Sequence, residues 1–253
     1  MTDELGNAIM AALPKFKQVA ILALGCTKEM AEAAVATELQ FYLSRLSAID
    51  LAKHQLPLDR GKTIFLEVLM AGLSFSPGSR HVYLLPSYHN STQLTYEVSP
   101  YGRIYMCQKA ESVDYVTKPV IVYEGDSFRV GTNEQGHQVV LHAALQHPGN
   151  KPPIVGGYVF VVTPGGARES YWMDKADVER LRAKSRKNPL YSNFNGDIDP
   201  GFFGGKLIKH ALATYRTKSI VPPAADEDED AKESVETPAP VQVPPQNQNN
   251  LIF

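Results

Sequence analysis

Between residues 81 and 163 the chain carries six short runs rich in β-branched and aromatic residues, with turn residues between them. The runs occupy 81–86, 93–98, 119–125, 127–131, 138–145 and 158–163. Segments of that length with turn residues between them read as strands. The stretches "GTNEQG" and "TPGG" sit where hairpin connections belong, so sequence neighbours pair antiparallel.

Helical patterns lie on both sides of this tract. Residues 27–46 open on Thr27 as a candidate N-cap, and Met30, Ala34, Leu39, Phe41, Leu43 and Leu46 form a broad apolar stripe. Earlier helices are expected over 4–12 and 15–24, separated by Pro14, and another over 63–73. "SPYGRIYMCQKAE", residues 99–111, interrupts the strands as a helix. Two more follow at 174–187, with Asp174 as N-cap, and at 200–217. Helices, antiparallel strands, then helices is an α+β order: a central antiparallel sheet packed with helices. The expected division is an N-terminal helical region at 1–70, an α+β core at 71–218, and a disordered acidic tail at 219–253, where Pro, Asp, Glu, Gln and Asn dominate.

The net charge of −2 conceals a segregation. Residues 219–253 hold seven acids and one lysine, a net of −6, which leaves +4 for the rest. Between Lys175 and Lys218 ten Lys and Arg face four acids. A basic folded region with an acidic tail suggests a surface for a polyanion; solvated helix faces with a solubilising tail give the same pattern. Cys26 and Cys107 are the only cysteines, which points to a reducing compartment and away from a disulfide scaffold or thiolate metal site. The first residues lead us to expect no secretion signal, and the longest apolar stretch, Val19–Leu24, is too short to span a bilayer. A cytoplasmic location with no membrane partner is expected.

Motifs of enzyme chemistry are nearly absent. "RGKT" at 60–63 has Leu56 where a phosphate loop needs its first glycine, and "GTNEQGHQ" has His137 and Gln138 in place of Lys and Ser/Thr. His137 and His142, five apart on a strand, point to opposite faces, so a zinc site is not expected. "DEDED" at 226–230 lacks the spaced ligands and glycine turn of a calcium loop. No catalytic residue and no metal ligand is assigned. Nucleic-acid features do better. A single strand is held by cations along its phosphates and flat rings under its bases. Arg80, Arg103 and Lys109 fall among tyrosines that include Tyr88, Tyr101 and Tyr105; Arg182, Lys184, Arg186 and Lys187 fall on one late helix; Lys206, Lys209 and Arg216 fall on the last. A tyrosine on a strand also packs readily into a core, so the basic clusters weigh more.

These segments together resemble the RecT family of phage and prophage single-strand annealing proteins. The likeness runs through Gly72-Leu73, Pro77-Gly78, Tyr83–Pro86, Gln93-Leu94, Tyr101-Gly102-Arg103 and Glu124–Phe128, then "YWMDKADVERLRAKSRK" and "KLIKHALATYR", and covers roughly residues 8–218. The family's usual Tyr-Arg-Gly order here reads Tyr-Gly-Arg, which turns the basic side chain by about 100° on a helix start. The resemblance implies ATP-independent binding of single-stranded DNA, annealing of complementary strands and retention of the duplex. It implies a ring or helical filament of identical subunits, a phage exonuclease as partner, and host single-strand-binding protein as a further one. No cofactor is expected, with Mg2+ at most modulating DNA binding. The DNA groove is expected between the hairpin at 81–98 and the helices at 174–187 and 206–217. Its expected contacts are Arg80, Tyr88, Tyr101, Arg103, Lys109, Arg182, Lys184, Arg186, Lys187, Lys206, Lys209 and Arg216, with Tyr88 as a wedge between bases. A passive single-strand coat without annealing is the alternative. For the tail, a plain linker is favoured over a competitor for the DNA surface.

Overall fold

The computed structural model describes residues 2–51, 53–87, 92–134, 138–145, 152–185, 192 and 197–217. Four helices come first: α1 (Thr2–Ala11), α2 (Leu13–Leu24), α3 (Lys28–Ser47) and α4 (Leu58–Met70). Pro14 sits in the first turn of α2, where its missing N–H costs nothing. Thr27 caps α3 as its sequence suggests, its hydroxyl accepting from the Met30 N–H at 3.3 Å. Helix α4 starts at Leu58, directly after Pro57, and therefore contains the whole Arg60-Gly61-Lys62-Thr63 stretch. Gly61 is buried against Leu5, and Lys62 pairs with Asp59 at 2.7 Å. A phosphate loop needs its backbone N–H groups free to face a ligand, and here they lie within a helix.

Strands β1 (Val82–Pro86) and β2 (Leu94–Val98) form an antiparallel hairpin in which Val82 opposes Val98 and Pro86 opposes Leu94. One face of the hairpin, with Val82, Leu94, Tyr96 and Val98, closes on the four helices to make a first core. Tyr42, Phe65 and Phe75 fill its centre with rings 4.6 to 6.0 Å apart. Arg45 of α3 locks the hairpin down by donating to the Val82 and Ser76 carbonyls at 2.8 and 3.1 Å. Packing thus carries the first unit past residue 70, where the helical region was expected to end.

Helix α5 (Pro100–Lys109) follows, then β3 (Tyr115–Val116), β4 (Val120–Tyr123), β5 (Ser127–Thr132), β6 (Gln138–Ala143), β7 (Ile154–Val162) and β8 (Arg168–Met173). The strands do not make one sheet. β7 is the middle of an antiparallel sheet, with β8 on one edge and β3 and β4 sharing the other: Gly157 opposes Ile121 and Met173, and Val161 opposes Val116 and Glu169. β5 and β6 form a separate ribbon. β8 was not among the expected strands, because Arg-Glu-Ser at its start hides the apolar alternation.

A second core lies under the sheet, where Val159, Val161 and Met173 meet α6 (Lys175–Ser185) through Val178 and Leu181 and α7 (Pro200–Leu212) through Phe203 and Leu207. Asp174 caps α6 and accepts from the Asp177 N–H at 3.0 Å, while Asp177 accepts in return from the Asp174 N–H at 3.1 Å. Gly157 lets α7 lie against β7, since a Cβ there would come within 2.7 Å of the Phe203 ring and 2.9 Å of the Val120 carbonyl.

The ribbon covers the other face of the sheet. Phe128 packs on Tyr158 and Trp172, cross-strand partners on β7 and β8, at 6.0 and 6.2 Å. Beneath it Asp126, 1% exposed, accepts from the backbone N–H groups of Tyr123 and Leu145, both at 2.9 Å, and lies 3.1 Å from His142 Nε2. A two-stranded ribbon is marginal by itself, so this latch and the aromatic contact hold it in place. Asp126→Asn keeps the shape but weakens the three contacts, at a cost of about 1–3 kcal/mol. The expected outcome is faster amide hydrogen exchange over 127–132 and 138–143, with the first core unchanged.

Candidate nucleic-acid interface

Helix α5 is built to be held on two sides and open on the third. Ser99 caps it, its hydroxyl accepting from the Gly102 N–H at 3.0 Å, and Pro100 fills the first turn. The Ser99 hydroxyl in turn donates to the Arg80 carbonyl, and the Ser99 N–H donates to the His81 carbonyl at 2.8 Å. This draws the first turn so close to His81 that a Cβ on residue 102 would stand 2.2 Å from its carbonyl oxygen, so glycine is required. Met106 enters the first core and Cys107, the next residue, enters the second. Burial pushes the Cys107 thiol up, against a smaller opposite pull from Arg103.

Residues 101, 105 and 109 fall within about 80° of one another on such a helix. They form its outward strip: Tyr101 is 50% exposed, Lys109 is exposed, and Lys109 Nζ lies 5.6 Å from the centre of the Tyr105 ring. The His81 ring stacks on Tyr105 at 4.5 Å with planes 28° apart. Arg80 is exposed beside the start of α5, with a φ of +53° where Ser99 holds its carbonyl. Exposed Tyr101 and Lys109 thus flank a half-buried Tyr105 on one helix face, and the attraction between Lys109 and the Tyr105 ring contributes order as well as charge.

The other expected contacts are distributed as follows. Arg103 lies about 160° round the helix from the middle of the strip, toward Cys107. The Tyr-Gly-Arg order explains this: glycine takes the position that touches His81, and the arginine moves to the flank. Lys206 is half-buried on α7 beside Phe202, whose ring centre is 5.8 Å from its Nζ. Lys209, its side chain 12% exposed, pairs with Glu97 of β2 and so ties α7 to the hairpin, as Arg182 ties α6; Glu97 faces the exposed Tyr83 across the hairpin. Helix α7 borders the first turn of α5, where Gly205 approaches Pro100. Lys184 is exposed on α6, and Arg216 is exposed just beyond α7. Tyr88, Arg186 and Lys187 lie outside the described residues.

Arg182 is corrected from a phosphate contact to a structural group. Its side chain is 11% exposed; Nε donates to Asp197 Oδ1 at 2.6 Å, one Nη to Glu179 at 2.5 Å and the other to the Ile154 carbonyl at 3.0 Å. Burial alone would raise the Asp197 carboxyl, but hydrogen bonds from Arg182 and the Ile198 N–H outweigh it and hold it below its ordinary value. His81 was not singled out from sequence, and Tyr105 was noted among the tyrosines but not among the expected contacts. The i, i+4 spacing of Tyr101, Tyr105 and Lys109 was visible there; the stacking of a residue from before β1 was not.

No protein-family model matches the chain, and no curated protein matches it either.

Arg182→Ala is expected to strand Asp197 in a partly buried site and cost about 3 kcal/mol of stability, read by denaturant unfolding. His81 supplies a pH test. Burial lowers its pKa from the ordinary 6.5, and its Nδ1 already accepts from the Ser74 N–H at 3.3 Å. The unfolded chain therefore binds more protons between the folded value and 6.5, and stability falls as the pH is lowered through that window. His81→Gln is expected to flatten that part of the stability–pH curve; an NMR midpoint for His81 above 6.5 would contradict it.

Proposed function

We propose that the chain binds single-stranded DNA and pairs complementary strands without hydrolysing a nucleotide. The observation that carries this reading is the α5 strip: exposed Lys109 and Tyr101 beside Tyr105 on a helix fixed between two cores, with His81 stacked on Tyr105 and exposed Arg80 at the helix start. Annealing breaks no bond in DNA. It needs two polyanions screened from one another and base edges left free to pair. Lys and Arg on phosphates supply the first, and rings that touch base faces leave Watson–Crick edges open.

The resemblance to annealing proteins supports the same reading from the sequence side. It extends it to a RecT-like core, assembly into rings or filaments, action beside an exonuclease, and a cytoplasmic setting. Lys206 of α7 follows Gly205, which approaches Pro100 in the first turn of α5, and offers a continuation of the surface.

The test is strand pairing between two complementary dye-labelled oligonucleotides with no nucleotide present. Pairing is expected to run faster with the protein than without it. Tyr101→Ala is expected to weaken single-strand binding roughly tenfold, as for loss of one stacked base. Lys109→Ala is expected to reduce the slope of log affinity against log salt by about 0.7, one phosphate contact on a single strand. Binding without faster pairing would leave a passive coat, and affinity indifferent to salt would remove the reading altogether.

A further inference from the structure

The α5 strip has an oppositely charged segment in the same chain. Residues 226–230 read Asp-Glu-Asp-Glu-Asp, and the structure fixes the residues from which the chain continues toward them. The Tyr215 hydroxyl donates to Glu169 Oε2 at 2.6 Å, and the Tyr171 hydroxyl donates to the same oxygen at 2.8 Å. One residue later the Arg216 carbonyl accepts from Ser112 Oγ at 2.7 Å. Ser112 stands three residues beyond Lys109. The exit is therefore fastened beside the C-terminal end of α5, the end at which Lys109 is exposed.

The tether is long enough and short enough. Nine residues separate Arg216 from Asp226, and the ten steps between them span at most about 35 Å when extended. Helix α5, with 10 residues, is about 15 Å long, so the strip from Lys109 back to Arg80 lies within reach. A tether of this length keeps the five carboxylates near the strip at an effective concentration on the order of millimolar. Glu111 and Asp114 are exposed near the exit and repel the acidic run there, which leaves the Lys109–Arg80 length of the strip as the attractive ground.

We infer that residues 226–230 dock in cis on the α5 strip, over Lys109 and Arg80, and compete there with the nucleic acid phosphates. The competition rests on the DNA-binding reading; the docking does not. The run matches a single strand in charge per unit length but has no bases to stack, so a strand that engages Tyr101 and Tyr105 displaces it.

The experiment uses the full chain in two arms. In the first, without DNA, a zero-length carbodiimide joins amines to nearby carboxylates, and peptide mass spectrometry reads the pairs. A Lys109 crosslink to residues 226–230 is expected, independent of protein concentration and lost at about 0.5 M salt, where screening is within a few ångströms. In the second, a chain with all five acids changed (D226N, E227Q, D228N, E229Q and D230N) is compared with the natural chain for binding to an oligo-dT strand. It is expected to bind roughly five- to tenfold tighter at about 20 mM salt, with the two converging above about 0.3 M. No Lys109 crosslink, or one that grows with protein concentration, overturns docking in cis. A crosslink with equal affinities overturns the competition. If the crosslink forms and neither chain binds the oligonucleotide, docking stands and the DNA reading falls.

Discussion

The position of α5 governs the rest of the architecture. Two adjacent side chains leave it in different directions, Met106 into the core of helices and hairpin and Cys107 into the core beneath the sheet. Tyr105 packs against the first and Ile104 against the second. A 10-residue helix is too short to be stable in water by itself, so its order comes from these two interfaces and from the Ser99 cap. Its outward strip is consequently pre-organised: a ligand that lies across Tyr101 and Lys109 meets side chains mounted on a fixed backbone, and loses less entropy on binding than on a loop.

Charge in the sequence does not separate cations that hold the fold from cations that face solvent. Arg45, Arg182 and Arg80 are alike in sequence. Arg45 and Arg182 are wrapped by backbone carbonyls or carboxylates, whereas Arg80 is exposed. A guanidinium with its donors filled inside the protein has little left for a phosphate, and withdrawing it leaves unpaired acceptors behind. The ten basic residues of 175–218 are thus divided between structural and surface roles, and the proposed binding surface shifts toward α5.

What could be read in the sequence follows from range. Thr27 and Asp174 act as caps because both partners lie within three residues, and the α5 strip has i, i+4 spacing along one helix. The strands at 82–86, 94–98, 120–123, 127–132 and 138–143 announce themselves by β-branched residues and turns. Contacts made over long separations stay hidden. Arg182 finds Ile154 twenty-eight positions away, Arg45 finds Val82 thirty-seven away, and Lys209 finds Glu97 one hundred and twelve away. The same limit concealed the division of the strands into a hairpin, a sheet and a ribbon, since alternation marks a strand but not the sheet it joins.

The size of the α5 strip bears on how such a chain would handle DNA. On the proposed reading Arg80 and Lys109, with Lys206, would give only a few phosphate contacts per copy. At a slope near 0.7 per contact on a single strand, two or three contacts make a site whose affinity is weak at physiological salt. Stacking on one or two rings adds a few kcal/mol at most. A site of that strength is occupied only briefly by one chain, which suits an annealing protein in one respect: bases must be released to search for partners. Retaining the strand meanwhile requires several copies along it, because linked weak sites hold a polymer far longer than any one of them. The proposed assembly into rings or filaments would then compensate for how little charge the strip carries, since each copy could stay weak as long as its neighbours remained bound.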